Sequence, residues 1–222
     1  MRIYIIRHGV TESNADNIRQ SREGFLSEEG ISEARALSDK MSGLVVDSIF
    51  TSPYPRAKQT ADIISGKVNQ LLVQESEYLS EIRLPSELIG IPTDDAKAKR
   101  IIATIDDHSG EKGWRYSDEE SFDEYSGRAF AVLEHITKTG FQNVVVVTHH
   151  RFIKVLVGVV LLGKNFTADL FTAIKNNVYI SNSGITICEQ NEETRGAWRL
   201  LTLNDHSHVV SGVSNEHAGK EN

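Results

Sequence analysis

The sequence predicts an α/β fold of three layers, with a mostly parallel central sheet between two layers of helices. Three observations carry that prediction. Short β-rich runs alternate with amphipathic helical patterns along most of the chain. One run, Val144–Val147, is four consecutive valines between polar residues, which suits a strand buried on both faces. Another, Phe152–Leu162, is apolar on nearly all sides and reads as a buried helix.

The elements follow in order. Ile3–Ile6 is the first strand, and it stops at Arg7-His8-Gly9. Glu28–Met41 carries Ile31, Ala34, Leu37 and Met41 at helical spacing. Ser48–Thr51 is a second strand, closed by Ser52-Pro53. Arg56–Ile64 follows Pro55, which suits a first helical position, and it places Ala57, Thr60, Ala61 and Ile64 on one face. Leu71–Val73 is a weaker strand that leads toward Leu79. Ala96–Ile105 reads as a helix with a basic face, and Glu120–Ile136 as the longest helix, striped by Phe122, Tyr125, Ala129, Leu133 and Ile136. Ile185–Cys188 and Trp198–Leu203 are late strands, expected to form a hairpin across the Asn191–Gly196 turn. The stretch 85–118 holds two of the four prolines and interrupts the alternation, as a cap insertion over one end would. Residues 1–204 therefore read as a single domain, and 205–222 as a polar tail expected to be flexible.

A chain of 222 residues is long enough to bury a substantial core without disulfides or a structural metal. Its 24 basic and 31 acidic residues give a formal charge of −7, which disfavours nucleic acid and anionic membranes as partners. The single cysteine, Cys188, allows neither an intrachain disulfide nor a thiolate metal cluster and is expected to be a half-buried strand residue. The opening segment turns polar too soon for a signal-peptide core, and the longest apolar run, Val155–Leu162, falls far short of the roughly 18 residues of a membrane span. The expectation is a soluble cytoplasmic protein. An average charge says nothing, however, about a small cationic pocket.

The chemistry collects at strand ends. The first strand is followed by Arg7-His8-Gly9, the second by Ser52-Pro53 and Arg56, the third region by Glu81, and the valine strand by Thr148-His149-His150. In a parallel sheet these ends line one crevice. Arg7 and Arg56 offer planar forks of donors for phosphate or carboxylate, and Arg56 heads a helix whose free N–H groups add an anion site. A neutral His8 can present one ring nitrogen to a phosphorus atom, and His149 can hold a phosphoryl oxygen as its charge develops. Glu81 can protonate a leaving oxygen if enclosure keeps it protonated, although surface glutamates are common. A metal site is disfavoured: the arginines oppose a bound cation, and extended His149 and His150 diverge.

These residues resemble the histidine phosphatase superfamily, which is phosphoglycerate mutase-like. Arg7–Asn14 is similar to its RHGxTxxN signature, Thr51–Ala61 to its SxxxRAxxTA block, Leu79–Ile82 to the segment carrying its acid, and Val145–His149 to the segment ending in its second histidine. The four blocks stand in family order. The resemblance implies a phosphoglycerate mutase-like fold and a phosphomonoester hydrolase working through a phosphohistidine on His8. Glu81 would then be acid and later base, and Arg7, Asn14, Arg56 and His149 would bind the phosphoryl group, with Gln20 and Ser21 as further substrate contacts. It also implies no metal or organic cofactor, a phosphorylated small molecule or a phosphoprotein as substrate, and inorganic phosphate as product. A homodimer is left open.

Two departures bear on this reading. The second histidine is usually followed by glycines, whereas His150-Arg151 stand here, either crowding the pocket or adding a charge that selects a second anionic group. Arg83-Leu84-Pro85-Ser86 after Glu81 lacks the pattern of cofactor-dependent mutases, which favours a hydrolase. A mutase-type isomerase and a low-turnover phospho-ligand binding module are the alternatives. Lys97 and Arg100 are candidates for contact with a second anion, though a solvated helix face accounts for both.

Overall fold

The computed structural model describes residues 1–193 and 197–209. Its elements are β1 (Arg2–Arg7), α1 (Glu12–Ala15), α2 (Glu28–Met41), β2 (Ser48–Thr51), α3 (Pro55–Ser65), β3 (Val73–Glu75) and α4 (Ala96–His108). There follow α5 (Phe122–Thr139), β4 (Asn143–Thr148), α6 (His150–Leu162), α7 (Ala168–Asn177), β5 (Ile185–Glu189) and β6 (Arg199–Asp205). The six strands form one sheet in the order β3-β2-β4-β1-β5-β6. β4 pairs in parallel with β1 and β2, and β2 in parallel with β3, while β5 and β6 run antiparallel at one side.

Alternation of side chains along each strand builds two cores from one sheet. Val144 and Val146 of β4, with Ile3 and Ile5 of β1, pack against α5, α6 and α7. Val145 and Val147, with Tyr4 and Ile6, pack against Leu37 and Met41 of α2 and Ala57, Ala61 and Ile64 of α3. The expected three layers result. Helix starts follow local chemistry: Ser27 caps α2, and Ser121 and Glu124 form a reciprocal capping box that starts α5 at Phe122, two residues later than the periodicity predicts. α5 ends at Gly140, whose φ of 75° suits a residue without a Cβ.

The structure corrects four further expectations. The third strand is Val73–Glu75, not Leu71–Val73. Helix α7 was not anticipated, because its stripe is thin: only Ala168 and Phe171 are buried along it. Cys188 is fully buried rather than half-buried, and burial pushes its thiol up to about 12. The late hairpin pairs as expected, while residues 194–196 of its turn and 210–222 of the expected tail lie outside the described residues. Asp205, where the tail was expected to begin, instead ends β6 and accepts a hydrogen bond from Lys40 at 2.6 Å.

Residues 85–118 stand apart from both cores. Leu88, Ala98 and Ile101 form a separate small cluster there. The segment is tied back by the Ile18–Pro92 bridge and by the Arg19 guanidinium, which donates to the carbonyls of Pro92 (2.5 Å) and Thr93 (3.0 Å). Among the described residues no helix is long and apolar enough to cross a membrane.

Candidate active site

The parallel pairing places the C-terminal ends of β1, β2 and β4 at one edge. The antiparallel β5 brings its preceding loop, Ile180–Gly184, to that same edge. A cleft of about 730 Å³ opens there, walled by Arg7, His8, Asn14, Arg56 and Glu81 among others.

His8 follows β1 and is almost fully buried. Its Nδ1 lies 2.8 Å from the carbonyl of Gly9, so that nitrogen carries the proton and donates. The lone pair is thereby left on Nε2, which accepts from Arg56 Nε at 3.3 Å. Burial, then the charges of Arg56 and Arg7, hold the imidazole well below its usual range, so it is neutral at pH 7. Gly9 is required by close approach: a Cβ there would lie 2.6 Å from the carbonyl oxygen of Gly30.

Arg7 donates through Nη1 to the carbonyl of Ile180 at 2.6 Å, and its Nε is buried with no partner. Arg56, in the first turn of α3 behind Pro55, donates to the carbonyl of Ser21 at 3.0 Å. Burial lowers Arg56 to about 10, which leaves it charged at neutral pH. Tyr54 lies beneath that guanidinium, 5.0 Å from it, and beside His149, with ring centroids 4.8 Å apart.

His149 follows β4 and packs edge-on to His8, with centroids 5.1 Å apart. Its Nε2 is 2.8 Å from Ser52 Oγ, whereas Nδ1 is buried without a partner. Burial first, then His8, Arg56 and Arg7, hold it well below the usual histidine range. It does not line the open cleft, whereas Tyr54, packed against it, does.

Glu81 sits at the head of α6. Its carboxylate accepts N–H bonds from Ile82 (2.9 Å), Arg151 (3.1 Å) and Phe152 (2.9 Å). The α6 cap residue, His149, makes no side-chain cap, so Glu81 supplies from a distant loop what local sequence lacks. That loop is fixed by Arg128 of α5, which donates to the carbonyls of Tyr78 (2.8 Å) and Ser80 (2.9 Å) and pairs with Glu120.

The remaining expected residues also reach the cleft. Asn14 Oδ1 accepts from Thr11 (3.1 Å) and Asn182 (3.3 Å). Gln20 presents a buried, unpartnered Oε1, and Ser21 contributes its carbonyl to Arg56. In the first departure, His150 donates to the carbonyl of Ile180 and is held neutral chiefly by burial, so it adds no charge, whereas Arg151 does. Lys97 pairs with Glu87, and neither it nor Arg100 reaches the cleft wall, where Lys99 stands instead. Sequence reasoning missed Asn182, Tyr54 and Arg128, the last having no local signal inside a long helix.

A family model for the histidine phosphatase superfamily (branch 1) matches residues 3–206. The chain belongs to the histidine phosphatase superfamily. Among curated proteins it is 28% identical over 199 residues to a putative phosphoserine phosphatase 2 of Hydrogenobacter thermophilus, covering 83% of this chain and 87% of that one. It is 35% identical over 102 residues to the 2,3-bisphosphoglycerate-dependent phosphoglycerate mutase of Bradyrhizobium diazoefficiens, covering 44% of this chain. That match spans only about half of the mutase, 49% of its length. The solved structure of Bacillus stearothermophilus YhfR superposes with a TM-score of 0.77 at 23% identity, covering 93% of this chain and 98% of that one. This likeness establishes the shared fold of the superfamily.

Proposed function

We propose that the protein is a metal-independent phosphomonoester hydrolase, acting on small phosphorylated metabolites through a phosphohistidine on His8. The observation that carries this reading is the state of His8: neutral, its Nδ1 proton given to the Gly9 carbonyl, its Nε2 turned to Arg56 in a cleft shared with Glu81. A neutral nitrogen fixed in this tautomer is a nucleophile that needs no deprotonation.

Nε2 of His8 attacks phosphorus, forming an N–P bond as the P–O bond to the substrate alcohol breaks. Glu81 gives its proton to the departing oxygen. Glu81 then takes a proton from water, which attacks phosphorus, breaks the N–P bond and releases inorganic phosphate. Arg7 and Arg56 hold the equatorial oxygens, with Asn14, Gln20 and Ser21 around the ester. The unpartnered Nδ1 of His149 joins them when the neighbouring Tyr54 ring moves aside. The two guanidinium groups that act on His8 oppose a bound cation and favour this over metal-assisted hydrolysis.

A cleft of about 730 Å³ suits a metabolite. The relative named as a phosphoserine phosphatase, matched over most of its length, supports hydrolysis rather than isomerisation. The lone buried Cys188 fits a reducing, cytoplasmic setting. The test is phosphate release across a metabolite panel, with and without EDTA, by the wild type and His8→Ala. Activity that survives EDTA and falls by about three orders of magnitude in the variant is expected. Retention of most activity in the variant, or its loss with EDTA, would overturn the reading.

A further inference from the structure

The cleft is far more cationic than one phosphate requires. Ten lysine and arginine side chains line it against five carboxylates, in a chain whose overall charge is −7. All five carboxylates are engaged: Glu77 by Arg22, Asp106 by Lys175, Glu120 by Arg128, Asp118 by the Ser86 N–H, and Glu81 by the amides at the head of α6. The carboxylates lining the cleft are thus too few to balance its cations.

Arg83 donates to the Asp118 carbonyl, Lys154 to that of Lys175, and Lys99 stands on the α4 wall; four other cations fall in two places. Arg7 and Arg56 are the cations that act on His8. Arg19 and Arg151 lie away from it, between the head of α6 and the 85–118 segment. The Arg151 backbone N–H goes to Glu81, but its guanidinium has no hydrogen bond or ion pair among the described residues. Arg19 spends its two terminal nitrogens on the Pro92 and Thr93 carbonyls and keeps a buried Nε with no partner. The two repel one another, since Arg151 is second only to burial in lowering Arg19. Asp94 and Asp95 also act on Arg19, but Asp95 is occupied in capping α4. These carboxylates offset part of the charge on Arg19, but the Arg151 guanidinium beside it has no ion-pair partner among the described residues, and an anion placed between the two would stabilise both.

We infer that Arg19 and Arg151 form a second anion subsite, so that the preferred substrates are phosphomonoesters whose alcohol carries another oxyanion, a carboxylate or a second phosphate. The assignment builds on the phosphatase reading, adding the class of leaving group. Arg151 is the specificity-determining residue, because it projects from the helix that Glu81 caps and so sets the oxyanion at a fixed reach from the scissile bond.

The experiment compares matched pairs differing only in the second anion: phosphoserine with phosphoethanolamine for a carboxylate, and glycerol 1,3-bisphosphate with glycerol 3-phosphate for a phosphate. In each protein the ratio of kcat/KM within a pair is read, so a general loss of activity cancels. Binding of the same pairs to His8→Ala is measured by calorimetry, which requires no turnover. At least one pair should favour its more anionic member by about tenfold or more, the scale of one charge-assisted hydrogen bond. Arg151→Gln should bring that ratio close to one, Arg151→Lys should restore part of it, and added salt should reduce it in the wild type. Equal kcat/KM and equal binding within both pairs would overturn the subsite and leave the phosphatase reading intact. Tighter binding of the more anionic member, with turnover of neither, would uphold the subsite and overturn the phosphatase reading.

Discussion

The proposed role of His8 as nucleophile requires a neutral imidazole, and its neutrality has a structural cause. Burial and two guanidinium groups oppose a further positive charge, and the Gly9 carbonyl fixes which nitrogen keeps the proton. Glu81 is the complementary residue, held at one place by three backbone N–H groups. If it protonates the leaving oxygen, Glu81→Gln should depress kcat for alkyl phosphates at least about tenfold more than for p-nitrophenyl phosphate, whose leaving group needs little protonation. Equal losses in steady-state assays would count against the role. Most of these residues were legible because each stands directly after a strand: Arg7 and His8 after or at the end of β1, His149 after β4, Arg56 just beyond β2. Asn182 and Tyr54 were not, since their importance arises from the antiparallel insertion of β5 and from ring packing against His149, neither of which leaves a local pattern.

At the scale of elements, α5 holds the site together from a distance. Arg128 in its first two turns pairs with Glu120, donates to two carbonyls of the loop leading into Glu81, and lies 4.4 Å from the Phe152 ring centre. Both partners of that ion pair are mostly buried, with side-chain exposures of 16% and 12%. Arg128→Met leaves Glu120 as an uncompensated buried charge and should cost about 3 kcal/mol in urea unfolding. Arg128→Met combined with Glu120→Leu should recover a good part of it. A single variant as stable as wild type would show that α5 does not anchor the loop. The helix itself was visible from its stripe, and its true start follows from the Ser121–Glu124 capping box. α7 escaped notice because only two of its residues are buried.

For the whole molecule, the fold converts an acidic chain into one with a concentrated cationic cleft. The cost of that concentration is pH sensitivity. In the unfolded chain His8 and His149 protonate near 6.5, whereas both resist protonation when folded. Above 6.5 both states are neutral and the two residues have no effect. Below it the unfolded state binds more protons, so stability falls with pH, by up to about 1.4 kcal/mol per pH unit for each buried histidine. Urea midpoints should therefore drop between pH 7 and pH 5, with proton uptake on unfolding. A His8→Ala variant should show a shallower slope. A midpoint that holds steady or rises over that range would contradict the burial of neutral imidazoles.

The central claim is that the phosphoryl group passes through His8. Rapid quenching of a turning-over reaction into alkali, followed by peptide mass spectrometry, reads this directly. The account predicts one added phosphoryl group on the peptide containing Arg7-His8-Gly9, localised to His8 and lost on longer incubation. A label on any other side chain, or steady turnover in His8→Ala, would contradict it.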